Sequence, residues 1–203
     1  MKPARAGGLH VSAHSMKPVL RDFPDYFETD RLLVRSPRPG DGDAVYHGVV
    51  ETLSQLRAWP ISLPWALAEP SIDSSEVFCR EGHSAFLTRK DLPMLLFLKD
   101  GNMFVGATGL HHLDWTVPKF EVGYWCRKQF QGRGLVTEAL GGITRFAFSL
   151  LGARRLSSFT DSENVASRRV LERASFALEG IMRNDRMTPD GVLRSTCVYG
   201  ITP

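Results

Sequence analysis

QFQGRGLVTEAL, residues 129–140, carries the chain from a strand-like segment into a helix-like one through Gly132 and Gly134, with Arg133 between them. A glycine costs a helix roughly 1 kcal/mol relative to alanine. Two of them at a helix mouth point to main chain that a ligand approaches too closely for a Cβ. A strand ending near Cys126 and a helix beginning at once leave the first-turn N–H groups without intrahelical partners. With the positive end of the helix dipole they form an anion site. Two better-known phosphate motifs do not fit. No GxxxxGK[ST] occurs, and Thr137 stands where the third glycine of GxGxxG belongs. A pyrophosphate held in another way is implied.

Working outward, KFEVGYWC (119–126) alternates, which places Phe120, Val122 and Tyr124 on one strand face and Glu121, Gly123 and Trp125 on the other. Downstream of the turn, a helix is expected from about Gly134 to Leu151, with Leu135, Ala139, Ile143, Phe146, Ala147 and Leu150 along one stripe and Gly152 as its stop. Upstream, RLLVRSP (31–37) reads as a strand and DGDAVYHGVVETLSQL (41–56) as a helix with an aspartate near its cap. The prolines of WPISLPW interrupt, and SIDSSEVFCREGHSAFL (71–87) reads as a second helix opened by Ser71. LPMLLFLKDGNMFVGATGL (92–110) is a hairpin turning at Asp100-Gly101-Asn102. RRLSSFTD, NVASRRVLERAS and EGIMRNDRMTPDGVLRSTCVYGI complete the chain as strand, helix and a hairpin turning at Pro189-Asp190-Gly191. Such alternation predicts an α/β chain with a mixed sheet covered by helices.

Composition bounds the function. The 203 residues, 43% hydrophobic and 23% charged, are those of an ordinary globular domain. The net charge of +3 is spread along the chain, so no nucleic-acid partner is expected. Cys79, Cys126 and Cys197 match no metal or redox spacing, which favours reduced thiols and a cytoplasmic setting. No apolar run reaches the ~18 residues of a membrane span. Residues 1–28, with several Gly, Pro and Ser, read as a flexible extension before a domain at 29–203. Nothing in the sequence sets the oligomeric state, and a homodimer stays open.

Gln129-Phe-Gln-Gly132-Arg-Gly134 resembles the signature [Q/R]-x-x-G-x-[G/A] of the GNAT superfamily of acyl-coenzyme A N-acyltransferases. The resemblance extends through FVGATGLHHLDW, FEVGYWCRKQFQGRGLVTEAL and DSENVASRRVLERASFALEGIMR, in the order and spacing of the branch that includes ribosomal-protein N-terminal acetyltransferases. It implies a central, mostly antiparallel sheet flanked by helices, and acetyl-coenzyme A as cofactor. Backbone N–H groups around Gln131, Gly132, Arg133, Gly134 and Leu135 would hold the pyrophosphate, with Gln129 shaping the loop. Main-chain groups at Trp125 and Cys126 would pair with the pantetheine arm like an added strand, and Asn164 would face it. Arg127, Lys128 and Arg133 are phosphate candidates, or solvated surface cations.

Acyl transfer needs an uncharged amine, a base and a donor for the departing sulfur. A free α-amine titrates near 8 and a lysine near 10.4, so an α-amine is the easier nucleophile. Glu121 is the candidate base, directly or through water, or else a carboxylate paired with a neighbouring cation. The N–H at Cys126 could polarise the carbonyl. The chain departs from the family pattern at Leu171, where a tyrosine is common, and at Ser175, where a glycine precedes Phe176. Ser167 would substitute as the donor to sulfur, its alternative being an ordinary first-turn serine. The role of Asp185 stays open. His111 and His112 cannot both ligate a metal from one regular strand, because neighbours point to opposite faces, so no metal is expected. Cys126 reads as a backbone contributor rather than a nucleophile. Trp59, Trp65, Phe78 and Phe86 line an acceptor pocket or fill the core. The expectation is an acetyltransferase acting by direct attack in a ternary complex. Its leading acceptor is a protein or peptide N-terminal amine, ahead of a small-molecule amine, and the rival class is a nonenzymatic coenzyme A-binding module.

Overall fold

The computed structural model describes residues 16–203. Its strands are β1 (Tyr26–Glu28), β2 (Leu32–Arg35), β3 (Leu92–Leu98), β4 (Phe104–Asp114), β5 (Lys119–Cys126), β6 (Arg155–Asp161), β7 (Ala177–Met187) and β8 (Leu193–Ile201). Its α-helices are α1 (Gly42–Arg57), α2 (Ile72–Leu87), α3 (Leu135–Leu150) and α4 (Val165–Arg173). The strands form one sheet in the order β1-β2-β3-β4-β5-β6-β8-β7. Only β5 and β6 run parallel, joined by the crossover through α3 that a parallel pair requires. The sheet is therefore mixed and mostly antiparallel, as expected.

Each helix is positioned by a readable local signal except α1. Ser71 and Ser74 form a reciprocal capping box at the start of α2, each hydroxyl accepting the other's backbone N–H at 3.0 Å. Asp41 occupies the N-cap of α1 without capping it. Its carboxylate is held by the Arg35 guanidinium at 2.7 Å on both oxygens and by the Arg38 N–H. At the end of α3, Gly152 adopts φ +69° and the Ala153 N–H donates to the Ala147 carbonyl. The stripe ends one residue later than the spacing predicts: Leu150 is 54% exposed, and Leu151 is the side chain that turns inward.

The core divides between the two sides of the sheet. One side holds Leu32, Met94, Val105, Phe120 and Val122 against Ala139, Ile143 and Phe146 of α3. The other holds Leu95, Phe97 and Phe104 against Val45, Val49 and Cys79 of α1 and α2. Burying each large side chain contributes about 1.5–3 kcal/mol. The packed domain starts earlier than Thr29. Phe23 lies in the core, and Tyr26–Glu28 pair with Leu33–Arg35, so part of the expected extension belongs to the sheet. Apolar contact with Phe86, Trp115 and Phe146 draws Phe23 in. Residues 1–15, within the stretch read as flexible, lie outside the described residues.

The sheet carries one discontinuity. β5 pairs with β6 only at Lys119↔Arg155, Phe120↔Leu156 and Glu121↔Ser157. β4 continues beside β5 as far as Cys126, and β8 continues beside β6 as far as Asp161. Beyond Glu121 the two parallel strands therefore part in the middle of the sheet.

Candidate active site

The turn between β5 and α3 begins with a 3-10 turn over Lys128–Phe130. Gly132 and Gly134 both adopt left-handed backbone, at φ +73° and +74°. A Cβ on Gly132 would meet no protein atom within 4 Å, and one on Gly134 only the Arg31 Nη2 at 3.7 Å. Left-handed backbone, rather than crowding by the protein, is what requires glycine here. The N–H groups of Gly132, Arg133, Gly134 and Leu135 have no backbone acceptor in this turn, and Gly134 is the N-cap of α3 with no side chain to cover them. Arg133 and Lys128 are exposed beside them.

Three contacts fix this loop from outside, and sequence spacing holds no sign of them. Glu51 on α1 accepts the Gln129 N–H at 2.9 Å and the Arg127 Nε at 3.1 Å. Burial pushes the Glu51 carboxyl up, but the Gln129 N–H and the Arg127 guanidinium outweigh this and hold it below the usual range. Arg127 is thereby committed to Glu51 and to the Phe104 carbonyl, which leaves Lys128 and Arg133 as the cations facing outward. The Gln131 amide donates to Gln55 and to the Cys126 carbonyl. On the other flank Glu138 takes hydrogen bonds from Thr29, the Arg31 N–H and the Arg31 Nε, while the Arg31 Nη1 reaches the Arg133 carbonyl. Glu138 is thus neutralised at the helix mouth, so an anion there meets no free carboxylate.

The parted edge of β5 runs from this turn toward Glu121. Trp125 and Cys126 lie on it, and the Trp125 ring packs against Trp65 and Phe104 with centroids 6.0 and 5.7 Å away. Cys126 is half-buried, and burial pushes its thiol up to about 11, which keeps it protonated and fits a main-chain role. α4 closes the far side of the gap. Asn164 caps α4, its Oδ1 accepting the Ser167 N–H at 3.1 Å. The Ser167 Oγ lies 2.8 Å from the Tyr124 hydroxyl, which also donates to the Ser167 carbonyl. Burial raises the Tyr124 phenol above its ordinary value, so it stays neutral. Just past the last β5–β6 pair, the Ser158 Oγ donates to the Val122 carbonyl at 2.9 Å.

Glu121 projects from the opposite face of β5 to Phe120 and Val122, as its alternation predicts, and is 31% exposed. It lines an open groove of about 590 Å³ with Ile61, Pro64, His112, Phe159, Met182 and Asp185. The His112 Nδ1 lies 2.9 Å from the Glu121 Oε2. His111 instead meets Asp91, its Nδ1 between the two carboxylate oxygens at 2.9 and 3.0 Å. The expected opposition of the two histidines rests on a regular strand, and β4 is bulged here. Among the described residues no cluster of three or more His, Cys, Asp or Glu side chains is suited to a metal. The aromatics divide: Phe86 is core, Trp65 and Phe78 are partly exposed, and Trp59 faces the Arg194 guanidinium.

Residues 31–177 match the family described as Acetyltransferase (GNAT) domain, and the chain belongs to that family as an N-acetyltransferase. It is 38% identical to the "Putative ribosomal N-acetyltransferase YdaF" of Bacillus subtilis (strain 168), over 85% of this chain and 91% of that one. Its fold superposes on RimL, a ribosomal L7/L12 α-N-protein acetyltransferase solved with coenzyme A. The TM-score is 0.79 at 19% identity, over 87% of this chain and 97% of the other. It also superposes on the microcin C7 self-immunity acetyltransferase MccE, solved with acetyl-CoA and AMP. There the TM-score is 0.78 at 19% identity, over 86% and 93% of the two chains. Among the described residues no helix is long and apolar enough to cross a membrane.

Proposed function

We propose that this chain transfers the acetyl group of acetyl-coenzyme A to the α-amine at the N-terminus of a protein or peptide. One observation carries the reading: β5 and β6 part beyond Glu121, between the glycine turn at one end and the Glu121 groove at the other. The residues present fit the coenzyme. Unpaired N–H groups from Gly132 to Leu135, the α3 dipole, Lys128 and Arg133 suit a diphosphate. The Cys126 N–H on the parted edge suits a chain carrying amides, whereas the Trp125 main chain faces Ala107 of β4 and is not free to pair with it. When bound, the coenzyme supplies an acetyl thioester.

The remaining chemistry falls to the protein. Glu121 supplies the negative charge of the basic centre that draws a proton from the acceptor ammonium, directly or through a group that it holds, and an α-amine, titrating near 8, gives the proton up more readily than a lysine. In this reading the Cys126 N–H polarises the thioester carbonyl. The Ser167 hydroxyl, backed by neutral Tyr124, is the donor for departing sulfur. The acceptor class follows the ribosomal description of YdaF and the open groove, which the exposed strand β7 flanks. The test is thiol release from acetyl-CoA against peptides with free N-termini and a panel of small amines. Glu121→Gln is expected to bind acetyl-CoA with unchanged affinity and to lose roughly 10²–10⁴-fold in kcat. Full turnover in the Glu121→Gln variant removes Glu121 from the mechanism, and turnover on small amines alone removes the peptide acceptor.

A further inference from the structure

Glu121 does not stand alone in its groove. The β4–β5 register runs to His111↔Glu121 and resumes only at Asp114↔Lys119, so His112 and Leu113 on β4 oppose Phe120 alone on β5. At this bulge His112 has φ +48°, a left-handed conformation uncommon for any residue with a Cβ. In a regular strand His112 would face away from its neighbour His111. The bulge turns its ring onto the carboxylate of Glu121, at 2.9 Å. Backbone strain held beside a candidate base is grounds for a functional reading of the residue that carries it.

We infer that His112 and Glu121 act as one dyad in which His112, and not Glu121, contacts the acceptor amine. An ionised carboxylate only accepts hydrogen bonds, so Nδ1 carries the proton in the observed contact. In the neutral ring Nε2 is then the acceptor. The ring is 80% exposed and lines the groove, whereas the carboxylate behind it is only 31% exposed. The other charged groups on the groove belong to β7, where Asp185 and Arg186 pair with each other at 3.3 Å and Arg186 also reaches the Ile61 carbonyl. On β4 itself His111 is occupied by Asp91.

An acceptor R–NH3+ loses one proton to Nε2, giving an imidazolium that the Glu121 carboxylate holds. The freed lone pair forms the amide C–N bond while the thioester C–S bond breaks. The second proton leaving nitrogen ends on sulfur, and the imidazolium returns its proton to water. His112 is thus catalytic and Glu121 a positioning residue.

This inference rests on the acetyltransfer reading above, and two variants separate the two. His112→Asn tolerates the left-handed backbone and still donates to Glu121, but it cannot take a proton. His112→Gly relaxes the backbone and vacates the ring's place. Both are expected to lose roughly 10²-fold in kcat with the KM for acetyl-CoA unchanged. Added imidazole should restore turnover to His112→Gly in proportion to its concentration, and should leave Glu121→Gln unaided. His112→Asn at the wild-type kcat, with Glu121→Gln impaired, overturns the dyad and leaves Glu121 as the direct base. Failure of imidazole to rescue His112→Gly also overturns it. A wild-type protein inert toward every amine overturns both readings.

Discussion

Ser175 shows what one residue position can reveal. α4 ends in a Schellman arrangement: the Phe176 N–H donates to the Leu171 carbonyl and the Ser175 N–H to the Glu172 carbonyl. Ser175 therefore sits at the left-handed position with φ +68°, where the family resemblance leads one to expect glycine. Leu171, at the expected tyrosine position, and Phe176 are buried in one core cluster, the apolar contact that accompanies this cap. The two departures from the pattern thus belong to a single helix terminus. Ser175 is exposed, so Ser175→Gly should relieve backbone strain without leaving a hole, and raise stability by about 0.5–1 kcal/mol. A rise in the urea midpoint at unchanged slope would show it; a fall would mean that the serine hydroxyl supports the cap.

At the scale of elements, alternation and turn chemistry made most of the strands legible, because period and turn residues are local properties. The orientation of Glu121 and the glycine turn were legible for the same reason. The tethers of that turn were not. Glu51 lies 76 residues from Arg127, and Arg31 lies 107 from Glu138, and local periodicity carries no information about pairs so separated. The bulge at His112 was equally hidden, since nothing in LHHLD marks an extra residue. Glu51 gives α1 a task beyond packing: it fixes the main chain just before the glycine turn. Glu51→Gln keeps an acceptor for Gln129 but leaves the half-buried Arg127 without a counter-charge. The expected result is a rise of about tenfold in the KM for acetyl-CoA, equivalent to ~1.4 kcal/mol, with kcat nearly unchanged. Steady-state kinetics with acetyl-CoA varied would reveal it, and an unaltered KM would show that the turn holds its shape without Glu51.

For the molecule as a whole, several carboxylates link its parts and set its acid stability. Burial alone would raise Glu138 and Asp161. Thr29 and Arg31 at Glu138, and Arg194 with the Glu163 N–H at Asp161, outweigh it and hold both below the usual range. Glu138 ties the β1–β2 turn to α3, and Asp161 ties β6 to β8 through Arg194. A depressed folded-state pKa means that the unfolded chain binds more protons. This stabilisation is present above the unfolded values, near 3.9 for Asp and 4.3 for Glu, and is lost as pH falls through the folded ones. The urea midpoint should therefore drop steeply below about pH 4. Glu138→Gln should be less stable at pH 7 and lose less on acidification; an equal acid slope in the variant would place the titration elsewhere.

The three β5–β6 pairs also have a mechanical consequence. A sheet cut along part of its length loses bending stiffness there, so the panels β1–β5 and β6–β8 are hinged like book covers on a short spine at Lys119–Glu121. Side-chain clasps restrain the covers: Ser158 on the Val122 carbonyl near the spine, Tyr124 on Ser167 further out, and Arg186 of β7 on the Ile61 carbonyl over the groove. The width of the opening is thus governed by a few side-chain contacts rather than by the backbone ladder.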